Sequence, residues 1–407
     1  MKSIRPFLAS CVLAGFNISL ALADPITLEE VTAYALKESP EVRRIDAGLA
    51  EELGEALIVK TLPNPEIDSA LRPPKTYSGN RPDSEFEIIL SQPFRLSHLG
   101  LRQKLGELIG KAAGVNQKLA ILEFSQNIKL SFAKTWALES QLEKILQARK
   151  RLSTSSKSIT ESSEKGLLPK SDVKLFQAQD KKLVAEIIGL EADILRSKAE
   201  LIKLSGYNLA GRNLKKPELF AIVSENELLT RAQEGSIPVQ ERMQLLKKVA
   251  SEQVRLAERD SFPLLAPGLI YQHTSDGIDQ YGAGLKLQIP LFDRNQGERV
   301  KRKGEESAAQ ASALYYSGEA FNAELKTILA SLQASKRQFE LYDKEVIPAL
   351  MDALKAYEEQ LKSGQGNTFA IFQTQREIID ASSRSLELWT KALSAQSELS
   401  LLIGEEL

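Results

Sequence analysis

The sequence predicts a mainly α-helical protein with a small β part, built twice from one unit of long coiled-coil helical hairpins. Three observations carry this expectation: a self-similarity at a nearly constant offset, helical tracts far longer than a globular helix, and paired alternating segments at the same place in each copy. A repeat has to be found before anything else, because missing it would mis-assign every later element.

At the start, Lys2 and Arg5 precede an apolar run from Phe7 to Leu22, and Ala21-Leu22-Ala23 has the small-x-small pattern of a signal-peptidase site. Residues 1–23 therefore read as a signal peptide and Asp24 as the first mature residue. A lipoprotein box at Leu8-Ala9-Ser10-Cys11 is set aside, because the apolar run continues well past Cys11. The run is also shorter than the roughly 20 residues that span a bilayer. Removal of the segment takes the formal net charge from −1 to −3, which argues against nucleic acid as a partner. It also removes the only cysteine, so packing and assembly must supply the stability.

The duplication sets the domain organisation. Ser39-Pro40-Glu41-Val42 recurs as Ile237-Pro238-Val239 and Pro65 as Pro263, both at an offset of 198. Pro93, Gly100 and Arg102 return as Pro290, Gly297 and Arg299 at 197, and Phe176-Gln177-Ala178-Gln179 returns as Phe372-Gln373-Thr374-Gln375 at 196. Glu200-Leu201, Leu204 and Gly206 match Glu398-Leu399, Leu402 and Gly404, again at 198. The expected layout is a first repeat over 24–206, a linker over 207–224 and a second repeat over 225–407.

Each repeat has one order of elements. A helix (about 27 to 60, then 225 to 258) ends before a proline pair, Pro63/Pro65 or Pro263/Pro267. Two short strands follow, then a very long helix (about 100 to 162, or 297 to 361), a turn at Gly166 or Gly364, and a returning helix to about 204 or 403. About 60 helical residues extend on the order of 90 Å, and such a helix must bury a stripe on its neighbours. From Val173 the stripe is visible: Val173, Phe176, Leu183, Ile187, Leu190, Ile194, Leu201 and Leu204, interrupted by Asp180 and Ser197. The second repeat keeps Phe372, Ile379, Leu386 and Leu393 but has Ser383, Thr390 and Ser397 between them, which predicts looser or more polar packing. Gly106, Gly110 and Gly114 share a helical face, readable either as close helix approach or as local weakness.

In the strands, Phe86, Ile88 and Leu90 fall on one face and Glu85 and Glu87 on the other; Leu285, Leu287 and Ile289 alternate in the same way with Lys286 and Gln288. A soluble half-buried strand alternates identically, as does a transmembrane barrel strand, for which Phe94, Tyr271, Tyr281 and Phe292 would be interfacial aromatics. Segments 66–72 with 84–92, and 267–274 with 281–289, pair as two hairpins with polar connections. Four strands cannot close a barrel, and lipid tolerates no open sheet edge, so a spanning version must borrow strands from other chains.

With these elements in place, the chain resembles the outer-membrane efflux protein (TolC) family over essentially the whole mature sequence. The residues that carry the resemblance are Leu28-Glu29-Glu30, Ser39-Pro40-Glu41 and Leu62-Pro63-Asn64-Pro65, then Ile289-Pro290-Leu291-Phe292-Asp293-Arg294 with Gly297, and Tyr357-Glu358 leading to Gly364. The resemblance implies a homotrimer with a twelve-stranded outer-membrane β-barrel and a periplasmic α-barrel tunnel, acting as the passive exit duct of an efflux pump (RND-type, for drugs or heavy-metal cations) or of a type I secretion system. Its partners would be outer-membrane lipid, a periplasmic adaptor and an inner-membrane pump. The adaptor-facing tips would be Gly166, Leu167, Leu168, Gly364 and Gln365. Many relatives carry aspartates six and nine residues past the second tip glycine, where this chain has Ala370 and Gln373. The remaining gate candidate is Asp172, with Lys165, Lys170 or Lys362 as its cationic partner. Chain length is closest to the branch that serves metal-cation exporters.

Chemistry needs clustered groups, and here His98 and His273 stand outside any ligand-spaced motif. Neither a metal, a cofactor nor enzymatic activity is expected. Gly106 to Lys111 is one residue short of a phosphate loop, with Ala112 where Ser or Thr is needed, and Tyr281-Gly282-Ala283-Gly284 reads as strand packing. The alternatives are a periplasmic adaptor, which should have one hairpin between β-rich halves, and a soluble periplasmic coiled-coil scaffold, which would need no proline-bounded strand pairs.

Overall fold

Ser39 and Pro40 divide the first expected helix in two. The computed structural model describes residues 25–73, 84–166, 169–209, 211–218, 224–362 and 367–406; the expected signal segment lies outside them. Helix α1 (Leu28–Glu38) starts where the Thr27 hydroxyl accepts from the Glu30 amide, and α2 (Pro40–Lys60) starts where Ser39 accepts from Glu41, with proline in the first turn. The second repeat breaks at the matching point. Helix α5 (Glu225–Glu234) ends at Gly235 in the left-handed conformation, and Pro238 opens α6 (Pro238–Arg259).

Strands β1 (Glu66–Arg72) and β2 (Glu85–Ser91) precede α3 (Leu101–Glu164), which runs unbroken for 64 residues, and α4 (Lys170–Ser205) returns beside it. Strands β3 (Leu264–His273) and β4 (Asp279–Gln288) hold the equivalent place. Strand β3 begins three residues earlier than expected and contains Pro267, whose carbonyl still accepts from the Gln92 amide at 3.0 Å.

The second long helix is not continuous. It is divided into α7 (Gln296–Ser317), α8 (Glu319–Leu341), a π-helical turn (Tyr342–Val346) and α9 (Ile347–Lys362). Gly318 is extended, and a Cβ there would lie 2.9 Å from the Leu314 carbonyl oxygen, so the break is built around a residue without a side chain. Helix α10 (Thr368–Ile403) completes the chain.

Packing follows the duplication. Ile26, Val31 and Ala35 bury against Phe124, Phe132 and Leu201, and in the second repeat Leu228, Ala232 and Ile237 bury against Phe321, Leu325 and Leu399. A third cluster, including Ile145, Leu152, Phe176, Leu183, Leu354, Ile371 and Ile378, joins the two hairpins. Both interruptions of the first seam are satisfied: Asp180 accepts from Arg149 at 2.8 Å, and Ser197 shares a hydrogen bond with Thr135 at 2.8 Å. The second seam is not loose. Helix α10 packs on α3 along one flank and on α8 and α9 along the other, so serines and alanines such as Ser382, Ser385, Ala392 and Ser397 are buried by close neighbours on both sides. The helices pack side by side in the order α4, α3, α10, α8–α9, and close to the tip α4 also touches α10.

Two sequence ambiguities resolve here. At Gly106 an added Cβ would meet Lys60 Cγ at 2.6 Å and the Ala56 carbonyl oxygen at 2.7 Å, so α2 and α3 approach closely there; at Gly114 nothing lies within 4 Å. The linker is a docked strap in its described part. Leu209 and Leu214 are buried, and Ile26 exchanges backbone hydrogen bonds with Asn213 (3.0 Å) and Lys215 (2.8 Å).

Candidate membrane sheet and tunnel tip

The four strands form one antiparallel sheet in the order β1-β2-β3-β4, with β2 on β3 joining the two repeats. Directly opposed residues share a face, so the register decides what each face presents. One face carries Ile67, Leu71, Phe86, Ile88, Leu90, Leu269, Tyr271, Tyr281, Leu285 and Leu287. Most of these side chains are uncovered, Leu269 to 67%, Tyr281 to 81% and Leu285 to 66%, while Phe86, Ile88 and Tyr271 are half-buried. Phe86, Ile88, Leu90, Leu285 and Leu287, named from the sequence, all fall on this face; Ile289 lies one residue beyond β4 and is exposed.

The other face carries Glu66, Asp68, Arg72, Glu85, Glu87, Gln272, Gln280, Lys286 and Gln288. Arg72 lies 3.7 Å from Glu85 and 3.9 Å from Glu87, and Lys286 Nζ lies 3.6 Å from Asp68 Oδ2. The last pair joins β4 to β1, about 14 Å apart in a flat sheet at three strand spacings. The sheet therefore curls with its charged face inside and its apolar face outside. Crowding on the concave side is relieved by Gly268, Gly282 and Gly284, and an added Cβ at Gly284 would meet Ile270 Cδ1 at 2.9 Å. Charged pairs inside and a continuous apolar surface outside are the reverse of a soluble half-buried sheet and the arrangement of a lipid-embedded one. The outer edges of β1 and β4 have no strand partner among the described residues.

Polar caps close both ends of the sheet. At the β3–β4 turn, Tyr271 and Tyr281 lie 5.3 Å apart, the Tyr271 hydroxyl donates to Asp279 Oδ1 at 3.0 Å, and His273 Nδ1 lies 2.7 Å from the same oxygen. At the helical end, Arg95 donates to the carbonyls of Asp260 and Phe262, Ser97 donates to that of Arg259, and the Asn295 side chain donates to that of Ala257. His98 Nε2 approaches Asp260 Oδ1 to 3.1 Å without good hydrogen-bond alignment, and burial pushes the His98 imidazole below its ordinary value against the pull of Asp260. Both histidines thus brace junctions around the sheet. The sequence signal for them was only their position beside strands.

At the far end, Gly166 turns with φ +73° after α3, and Lys165 and Lys170 are exposed. Leu167, Leu168, Gly364 and Gln365 lie outside the described residues, and Lys362 closes α9. Asp172 does connect the two hairpins, but through a hydroxyl: Thr368 on α10 donates to Asp172 Oδ2, and Ser171 donates to Oδ1 at 3.3 Å. Among the described residues, neither Lys165 nor Lys170 is an ion-pair partner of Asp172. Thr368 escaped sequence reasoning, although a signal was present. Asp172 and Thr368 are 196 positions apart, as are Phe176 and Phe372, whose rings pack at 6.2 Å one turn further from the tip. Equivalent positions of the repeats face each other.

Among the described residues no group of three or more His, Cys, Asp or Glu side chains could hold a metal ion, and no helix is long and apolar enough to cross a membrane.

Residues 241–405 match the family described as outer membrane efflux protein. No curated relative matches the sequence. Among solved structures, the chain is similar to the outer membrane protein VceC from Vibrio cholerae at 17% identity and a TM-score of 0.75, over 93% of this chain and 96% of that one. A membrane protein from Pseudomonas aeruginosa also gives 0.75 at 15% identity, over 93% and 90%. The Campylobacter jejuni CmeC outer membrane channel gives 0.73 at 11% identity, over 93% and 85%.

Proposed function

We propose, for a chain whose second repeat matches the outer membrane efflux protein family and whose fold is similar to outer membrane channels over 93% of its length, that it is the outer-membrane exit duct of an efflux or secretion assembly. The curled, two-faced sheet carries the reading. An apolar convex face, a charged concave face and two open edges are stable in lipid only when further copies complete the barrel. The helical row has the complementary property of two free flanks, and joined row to row it becomes a tunnel wall. Nothing in that wall requires catalysis. An adaptor fits less well, because it should have one hairpin, whereas both repeats here contribute one to a single row.

The oligomer is testable directly. Native mass spectrometry in detergent should give three copies of a chain beginning at Asp24, recovered from the outer-membrane fraction. A water-soluble monomer would overturn the duct and the membrane placement together.

The tips around Gly166 and Gly364 are the proposed contact for a periplasmic adaptor, supported by their position as the reversals of the two hairpins and by Leu167 and Leu168 beside the glycine. Glutamates at Leu167 and Leu168 are expected to abolish efflux at unchanged trimer yield; normal efflux would remove that contact. The Asp172–Thr368 bond is the proposed latch between non-equivalent hairpins. Its competitor is helix N-terminal stabilisation by Asp172, worth roughly 0.3 to 1 kcal/mol whatever the tip does. Asp172→Ala and Thr368→Val should both raise single-channel conductance if the bond holds the tip closed. Conductance at the wild-type value in both variants would leave Asp172 as a helix stabiliser only.

A further inference from the structure

Helix α4 carries a second heptad pattern that its own chain leaves bare. Its inner seam, including Phe176, Leu183, Leu190 and Leu201, is buried. Around the helix, Lys174, Lys181, Ile188, Leu195 and Ile202 recur every seven residues, and Ala178, Ala185, Ala192 and Ala199 recur beside them. At about 100° per residue, the two sets form one stripe roughly 40° wide on the side away from the inner seam. Every one of these residues is exposed, Ile188 to 62% and Leu195 to 72%. Large side chains flanked by regularly spaced alanines are knobs beside holes, whereas a solvated helix face would carry charges throughout.

The opposite end of the row presents a matching stripe. On α8 the exposed residues include Ala323, Ala330, Ala334 and Leu341; on α9 they include Ala349, Asp352, Ala356 and Glu359. Heights along the row can be compared, because the Asp172–Thr368 and Phe176–Phe372 contacts place positions 196 apart side by side. Counting back around the α9–α10 turn then brings Lys174 level with Glu359 and Lys181 level with Asp352, each to within one residue, about 1.5 Å of rise. Leu195 and Ile202 fall level with the stretch from Ala330 to Leu341. Among the described residues none of Lys174, Lys181, Asp352 and Glu359 has an ion-pair partner in its own chain. The two stripes sit at opposite ends of the row and cannot meet within one molecule. A rotation about an axis along the hairpins preserves height, so it brings these same levels together in a head-to-tail contact that can close into a ring.

We propose that α4 docks by this second seam on α8–α9 of a neighbouring copy, through a seam in two parts: Lys174 and Lys181 paired with Glu359 and Asp352 toward the tip, and Ile188, Leu195 and Ile202 seated among small apolar residues toward the sheet. The proposal rests on the duct reading and adds to it which helices meet, in what register, and where the contact is sensitive to salt. Screening acts on the exposed pairs and leaves the apolar part in place.

A double variant, Lys181→Cys with Asp352→Cys, tests the register. Cys11 is the only native cysteine and lies in the segment expected to be removed, so the mature variant holds only the two introduced thiols, and because α4 and α9 lie at opposite ends of the row a disulfide between them joins different copies. A covalent trimer that reductant dissolves is expected on a denaturing gel. Lys181→Cys with Glu345→Cys, displaced by seven residues or about 10 Å, should give none, because disulfides need Cα atoms within about 7 Å. A second measurement is independent of thiol geometry: Lys174→Glu with Lys181→Glu should lower the trimer surviving in detergent at low salt at least severalfold, and Asp352→Lys with Glu359→Lys should restore it. An intact trimer by native mass spectrometry with neither cross-link nor charge rescue overturns the seam and leaves the duct standing. Loss of any oligomer in the unmodified protein overturns both.

Discussion

Leu269→Arg should remove the protein from the outer membrane, whereas Gln272→Arg, three residues along the same strand but on the concave face, should leave it there. Leu269 lies in the middle of the convex apolar surface, opposite Leu90 on one side and Ala283 on the other. An arginine facing the hydrocarbon midplane costs about 2 to 4 kcal/mol per chain, and each barrel pays it once for every copy it contains. The concave face already holds Arg72 and Lys286 in ion pairs, and in the proposed barrel a further cation at 272 would meet an aqueous lumen. Membrane fractionation with a heat-modifiability gel reads the difference. Equal tolerance of both substitutions would mean that the convex face does not touch lipid.

Trp389→Ala should be the most destabilising single change in the helical row. Trp389 is 1% exposed and lies edge-on to Trp136, 4.7 Å between ring centres. It packs on α3 through Ala133 and Leu130, and on α8 through Phe339, so three helices of the row converge on one side chain. From the strap, Lys216 places its ammonium 5.5 Å from the Trp136 ring and 5.1 Å from that of Phe339, which ties the linker to the same hub. Truncating a buried aromatic of this size costs about 3 to 5 kcal/mol. Thermal unfolding followed by helical ellipticity should show that loss, with Trp389→Phe retaining most of the stability. A change below about 1 kcal/mol for the alanine variant would mean that the row is held elsewhere.

What could be read from the residues depended on whether a local period encodes it. The strand faces were legible, because a period of two assigns Phe86, Ile88 and Leu90 to one side wherever the strand is placed. The inner seam of α4 was legible for the same reason at a period of seven. The division of the long second helix was not. A single glycine inside a helical pattern is usually tolerated, and nothing in Tyr342–Val346 announces a π-helical turn. Of the looser or more polar packing expected for α10 from Ser383, Thr390 and Ser397, the polar character is present and the looseness is not; only its two neighbours show that small residues are what a doubly packed helix needs. The docked strap at 207–218 has no periodicity to reveal it. At the tip, the charge of Asp172 pointed toward lysines, whereas the repeat offset pointed correctly to Thr368.

The central claim is that copies of this chain enclose a water-filled path across a membrane, and conductance in planar lipid bilayers tests it most directly. Purified trimer added to one side should insert in discrete, long-lived current steps of uniform size, with larger steps for Asp172→Ala. A folded, lipid-inserted protein that passes no current in either form would contradict the duct.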